Sequence, residues 1–264
     1  MPLSGGRSNR AWKVQPADAQ NAVVVKLYMG PARNPLFPND PSAEAQILLQ
    51  FENSRISPDF VAAFSTSLGE CNVYSHIPGK TWAYDASSVG KSVAVLHSAA
   101  PPKGLRIVPN GSEELTKQTV SILAKCTDSD SISNLVPQGS VAKSSTTCLL
   151  HGDIVPGNII SNSEGLHFID WQCPAIGDPC EDIAIFLSPA MQCLYRGSAL
   201  NDDEIQSFAI GYNAPDVMTR YAELAPWYHW RMAAYCQWQV ENGQLDYEIA
   251  RDLEVAALQR SLSA

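Results

Sequence analysis

The sequence predicts an α+β chain: a small, strand-rich amino-terminal part joined at about residues 75 to 80 to a larger, mainly helical part. Three observations carry this expectation. Residues 22–28 (Ala-Val-Val-Val-Lys-Leu-Tyr) are β-branched and apolar, as a strand requires. Residues 42–49 are rich in helix formers and sit alone between strand-like runs. Beyond Pro78-Gly79 the long periodic stretches read as helices.

Each element follows from local chemistry. After the strand at 22–28, Pro31, Pro35, Pro38 and Pro41 bar regular structure and predict a loop. Ser42, following Pro41, is the expected helix cap, and Ile47, Leu48 and Phe51 supply an apolar face. Helices are expected over 86–98, 113–126, 182–195, 202–212, 221–240 and 245–262. The expected division is residues 1–78, a sheet plus one helix, and residues 79–264, the helical remainder.

Composition narrows the function classes. The 264 residues are 45% hydrophobic, enough for a sizeable core. Lys plus Arg number 18 against 27 Asp plus Glu, a net charge of −9 with the basic residues scattered, so nucleic acid is not an expected partner. Residues 1–12 lack the apolar segment of a signal peptide, and no apolar run reaches the roughly 18 residues of a membrane span, so a cytoplasmic protein without a membrane partner is expected. The seven cysteines form no C-x-x-C pair and read as buried free thiols.

The chemistry concentrates in residues 149–171. Ile159-Ile160 and residues 166–169 flank Asn162-Ser163-Glu164-Gly165, which has the turn chemistry of a hairpin. That hairpin brings Asn158 and Asp170 to one open end. Asp153 lies just before, in a loop that Pro156 and Gly157 keep from becoming a helix. One amide and two carboxylates converge there, and such hard oxygen ligands suit Mg²⁺. Each residue taken alone is an ordinary turn or strand-end residue. It is their joint spacing that argues for a site.

The pattern His151-x-Asp153-x-x-x-x-Asn158, followed by an apolar strand ending in Asp170, resembles the catalytic loop and metal-binding Asp of the protein-kinase-like fold. The variant is that of the aminoglycoside phosphotransferases and choline kinases, with Gly152 in place of Arg and Ile169-Asp170-Trp171 in place of Asp-Phe-Gly. The resemblance implies a bilobal α+β enzyme, an antiparallel-sheet lobe over a helical lobe, that uses ATP or GTP with Mg²⁺ to phosphorylate a small alcohol. It implies Asp153 as base, Asn158 and Asp170 as metal ligands, and His151 as a brace of the loop. Upstream, Lys26 resembles the strand lysine that reaches the phosphates, and Glu44 its ion-pair partner. Residues 3–14, with Gly5, Gly6 and Ser8, resemble the family's nucleotide-covering hairpin, and residues 73–79, with Tyr74, His76 and Ile77, the hinge that holds the purine. Gly79-Lys80-Thr81 imitates the end of a Walker A loop, but that pattern needs glycine where Tyr74 stands.

Two further features bear on the acceptor. Residues 175–184 match the Gly-Asp-Pro-x-x-Asp-Ile-Ala segment of the same family; Asp178 and Asp182 read as acidic caps of a helix beginning near Glu181, and the alternative is that this acidic segment, Asp178 and Glu181 included, contacts a substrate ammonium. Trp227, Trp230 and Trp238 fall close to one helical face, either core packing or an aromatic surface for a cation. The expected acceptor is a cationic alcohol, choline or ethanolamine first, then thiamine or an aminoglycoside. A catalytically silent nucleotide-binding scaffold is the rival from another class. Lys26, Glu44, Asp153, Asn158 and Asp170 all being present argues against it. A protein-serine kinase is disfavoured by the missing Ala-Pro-Glu segment and by Gly152.

Overall fold

The computed structural model describes residues 1–3, 9–17, 21–29 and 34–263. Contacts gather the chain into two compact units. The first takes in residues 1–82, 101–105 and 151–174, and the second residues 83–100, 106–150 and 175–264. The catalytic-loop segment therefore packs with the amino-terminal strands although it is remote in sequence.

The first unit is built on a four-stranded antiparallel sheet of β1 (Asn9–Val14), β2 (Val23–Tyr28), β3 (Phe60–Thr66) and β4 (Gly69–Ser75), in the order β1-β2-β4-β3. Residues 1–3 run beside β1, with Leu3 N donating to Ala11 O and Lys13 N to Met1 O, both at 2.9 Å. One helix, α1 (Pro41–Gln50), packs against β4 and buries Ala43, Glu44, Ile47 and Leu48. Its cap is Asp40 rather than the expected Ser42: the Asp40 carboxylate accepts from Ser42 N and Ala43 N at 3.0 Å, and Pro41 fills the first helical position, where a missing N–H costs nothing. A second sheet, β5 (Lys80–Thr81), β8 (Ile159–Asn162) and β9 (Gly165–Phe168), carries the expected hairpin, with Asn162 opposite Gly165.

The second unit contains α2 (Ala86–Ser98), β6 (Arg106–Ile107), α3 (Ser112–Leu123), the short α4 (Asp130–Ser133), β7 (Cys148–Leu150), β10 (Ala175–Gly177), α5 (Cys180–Leu187), α6 (Pro189–Arg196), α7 (Asp202–Tyr212), α8 (Pro215–Glu241) and α9 (Tyr247–Ser263). Strands β6, β10 and β7 form a small sheet beside the helices. Helices α2 and α7 cross closely enough that a Cβ on Gly90 would lie 2.3 Å from Phe208 O, and one on Gly211 2.1 Å from Ser87 O. Only glycine fits at either position.

The single helix expected over 182–195 is two helices. Pro189 pushes Ser188 into an extended conformation (φ −58°, ψ 119°), and the Ser188 hydroxyl then accepts from Met191 N to cap α6. No helix among the described residues is long and apolar enough to cross a membrane.

Candidate active site

The site is assembled wholly within the first unit, beginning on β2. Side chains alternate along a strand, so Val24, Lys26 and Tyr28 share a buried face. Lys26 is 3% and Glu44 1% exposed, and Lys26 Nζ donates to Glu44 Oε1 at 2.8 Å. The same ammonium donates to Asp170 Oδ1 and lies 4.9 Å from the Tyr28 ring centre. Burial alone would lower the Lys26 pKa, but Asp170 and Glu44 more than offset it and hold the ammonium well above its usual value. Lys26 is therefore a fixed positive charge shared between two carboxylates.

Glu44 is itself held in place. The Tyr28 hydroxyl donates to Glu44 Oε2, and Asn72 Nδ2, from β4, donates to the same oxygen at 3.1 Å. Burial, with the Glu44 charge beside it, pushes the Tyr28 pKa far above its normal range, so the phenol stays a donor. Sequence reasoning missed both residues. A signal was present in Asn72, an amide between the apolar residues of Cys71-Asn72-Val73, where strands disfavour asparagine unless its polar atoms are used.

The loop leading to Asp153 is fixed through His151, which is fully buried. Its Nδ1 accepts from Asp153 N at 3.2 Å, so the ring hydrogen sits on Nε2, which donates to Ile169 O at 3.1 Å. One neutral imidazole thus ties the start of the loop to the residue before Asp170. Phe168 and Trp171 pack around it, with Trp171 4.3 Å away between ring centres. Gly152 adopts φ 80°, a left-handed conformation that favours glycine. Pro156 and Gly157 do not keep the loop free of helix altogether, because residues 156–158 form a single 3₁₀ turn.

That turn places Asn158 for its contacts. Its Nδ2 donates to Asp153 O at 3.0 Å and to Asp153 Oδ2 at 3.2 Å, while Asn158 O accepts from Ile169 N at 2.9 Å. Asn158 thus joins Asp153 through its side chain and the residue before Asp170 through its backbone. Asp170 has φ 63°, a strained conformation for a residue other than glycine, and its side chain is 28% exposed, against the near-complete burial of its partner Lys26.

Among the described residues no group of three or more His, Cys, Asp or Glu side chains forms a metal cage. Mg²⁺ does not require one, since it commonly takes one or two protein oxygens and keeps water and phosphate for the rest. The residues fit that demand. Asn158 uses its amide nitrogen on Asp153, which leaves the carbonyl oxygen for a cation, and Asp170 engages Lys26 through Oδ1, which leaves Oδ2.

Of the other predicted residues, Tyr74 lies close enough to the cluster to feel the charges of Glu44, Lys26 and Asp170. Gly5, Gly6 and Ser8 lie outside the described residues. Tyr74 is buried in β4 opposite Val24, while His76 N donates to Ala22 O at 2.9 Å. Ile77 follows in the segment whose Pro78 O accepts from Asn162 Nδ2 at 2.9 Å.

In the second unit the residues offered for an ammonium substrate are occupied. Asp178 accepts from Arg220 Nε at 2.7 Å and from Cys180 N at 3.0 Å. Glu181 pairs through both oxygens with the buried Arg231, at 2.7 and 3.1 Å. Trp227 and Trp230, at 5% and 2% exposure, lie in two apolar clusters, and Trp230 Nε1 donates to Ile132 O. The spacing that seemed to offer an aromatic surface is core packing, because α8 is covered along much of its length by α3 and α9.

The model of the phosphotransferase enzyme family matches residues 1–227. The chain belongs to this family. By class it is a small-molecule kinase with the protein-kinase-like fold. A choline/ethanolamine kinase family protein from Mesorhizobium loti superposes with a TM-score of 0.67 at 14% identity, covering 98% of this chain and 87% of its own. An ethanolamine kinase from Plasmodium vivax gives 0.67 at 15% identity, covering 98% and 81%. A spectinomycin phosphotransferase, solved with ADP and spectinomycin, gives 0.61 at 15% identity, covering 97% and 92%. No curated protein matches the sequence.

Proposed function

We propose that this chain moves the γ-phosphate of ATP or GTP to a hydroxyl of a small, cationic alcohol, with Mg²⁺ as the metal. The observation that carries the reading is the joint placement of the Lys26–Glu44–Asp170 cluster and the Asp153–Asn158 pair in one compact unit. In this reading Asp153 orients the acceptor hydroxyl and takes its proton as the oxygen attacks the γ-phosphorus, the bond to the bridging oxygen breaks, and the nucleoside diphosphate leaves. Lys26 lies against the α- and β-phosphates, and Glu44, held by Tyr28 and Asn72, keeps the ammonium there. Asn158 and Asp170 hold Mg²⁺, which when bound neutralises phosphate charge. Residues 1–78 grip the nucleotide, with the purine along 74–77, and residues 79–264 supply the loop and the acceptor surface, in the cytoplasm.

A cationic acceptor is supported by the net charge of −9 and by relatives that include ethanolamine, choline/ethanolamine and spectinomycin kinases. It no longer draws on Asp178, Glu181, Trp227 or Trp230. The test is Mg²⁺-dependent release of ADP from ATP over ethanolamine, choline, thiamine and spectinomycin, with Asp153→Ala as blank. Stimulation by one amine alcohol is expected. Equal turnover by Asp153→Ala would remove the assignment of the base.

A further inference from the structure

Three segments of the first unit meet in an amide cluster that the reaction above does not use. Asn9 opens β1, directly after residues 4–8. Asn39 precedes the cap of α1, and Gln172 follows Asp170 by two residues. Asn9 Nδ2 donates to Asn39 Oδ1 at 2.8 Å and to Gln172 Oε1 at 2.7 Å, and Asn39 Nδ2 returns a bond to Asn9 Oδ1 at 2.8 Å. Two further bonds stitch the same segments together. Asp40 N donates to Gln172 O at 3.0 Å, and Cys173 Sγ to Pro38 O at 2.9 Å. Gln172 is buried, so its amide dipole is exchanged with Asn9 rather than with water.

The consequence is mechanical. Asp170 sits in a strained left-handed conformation, and the residues that follow it are fastened to the entry of α1, the helix that carries Glu44. Among the described residues, Asn9 is the β1 side chain that hydrogen-bonds into this cluster. A displacement of β1 is therefore felt at Gln172, and through it at Asp170.

We propose that Asn9 and Gln172 are positioning residues that couple the nucleotide-covering segment to the metal-facing carboxylate of Asp170, so that Mg²⁺ and nucleotide strengthen each other's binding through this amide bridge. The inference rests on the resemblance of residues 3–14 to a nucleotide-covering hairpin and on Asp170 as a metal ligand in the proposed function. Linkage makes the effect reciprocal, so it is measurable from either ligand, and couplings of this kind are commonly about five-fold or more.

The experiment is calorimetric titration of the full chain with ADP, in EDTA and in excess MgCl₂, for wild type, Asn9→Leu, Gln172→Met and the double variant. In wild type Mg²⁺ raises the affinity for ADP. In each single variant this enhancement, taken as the ratio of affinity in MgCl₂ to affinity in EDTA, falls about five-fold or more, and thermal midpoints confirm folding. The double variant falls no further than either single one, as expected of two ends of one bridge. Asp170→Asn separates the two readings. If it retains the full Mg²⁺ response, the metal assignment falls and the coupling with it. If it loses the response while both amide variants keep the wild-type enhancement, the coupling alone is overturned.

Discussion

Both compact units bury ion pairs, and the two are built on opposite plans. In the second unit the carboxylates are saturated: Glu181 gives both oxygens to Arg231, and Asp178 divides its oxygens between Arg220 and the amide of Cys180. In the first unit one ammonium serves two carboxylates, and Asp170 keeps an oxygen back on a strained, partly exposed residue. A closed pair has no further chemistry to offer and acts as structure. One ammonium between two carboxylates leaves a net negative charge, which suits a cation.

The comparison breaks most sharply at Asp153. Asp153→Asn is expected to lower kcat by about 10²- to 10⁴-fold with little change in Tm, and a variant with near-native kcat would show that the base lies elsewhere. Next comes a matched pair of neutralisations. Arg231→Met leaves Glu181 buried without its cation and should cost about 3–5 kcal/mol of stability, while kcat of the folded fraction is unchanged. Lys26→Met likewise leaves Glu44 buried without its cation, and should in addition abolish measurable nucleotide binding by the folded protein; a nucleotide titration of both folded variants distinguishes the two, and equal binding would erase the contrast.

Trp230→Ala tests the closed plan further. It should lose about 3–5 kcal/mol as a core truncation and leave KM for the acceptor unmoved, whereas a raised KM with native stability would restore the aromatic-surface reading. The smallest effect is electrostatic. Glu241 accepts from Thr127 N, Asp128 N and Gln237 Nε2, and although burial pushes its pKa up, these bonds more than offset that and hold it at about 2, against a usual 4.5. A depressed acid stabilises the fold above its unfolded value, and the gain disappears as pH falls through the folded one. Glu241→Gln should therefore lower Tm by about 2–4 °C at pH 7, with the difference closing between pH 4.5 and 2; a gap that persisted at pH 2 would contradict the charge-based account.

How much of this was visible beforehand depended on the range of the interaction. The hairpin at 159–168, the strand at 23–28 and the helices at 86–98 and 202–212 follow from turn chemistry and periodicity, which are local. The approach of Asn158 to Asp153 was legible for the same reason, since both stand in one short loop leading into the hairpin. Lys26 and Glu44 needed a resemblance to link them, because 18 residues separate them and only the fold joins them. The supports of the site were not legible: Tyr28 and Asn72 on Glu44, and Asn9 on Asn39 and Gln172, are contacts between remote segments that no spacing announces. The opposite error befell the tryptophans, where helical period alone does not say whether a face meets solvent or α3 and α9. Pro189, by contrast, was in plain view, and the expectation of one helix over 182–195 passed over the break it makes between α5 and α6.

The left-handed backbone of Asp170 also bears on how such a protein ages under mutation. Asparagine and glycine enter that conformation as readily as aspartate does, whereas most other residues resist it. Drift at this position is thus channelled toward two replacements that keep the fold and discard the charge. On the proposed reading of Asp170, a lineage descending from this chain stands one substitution from a relative without its metal-facing carboxylate.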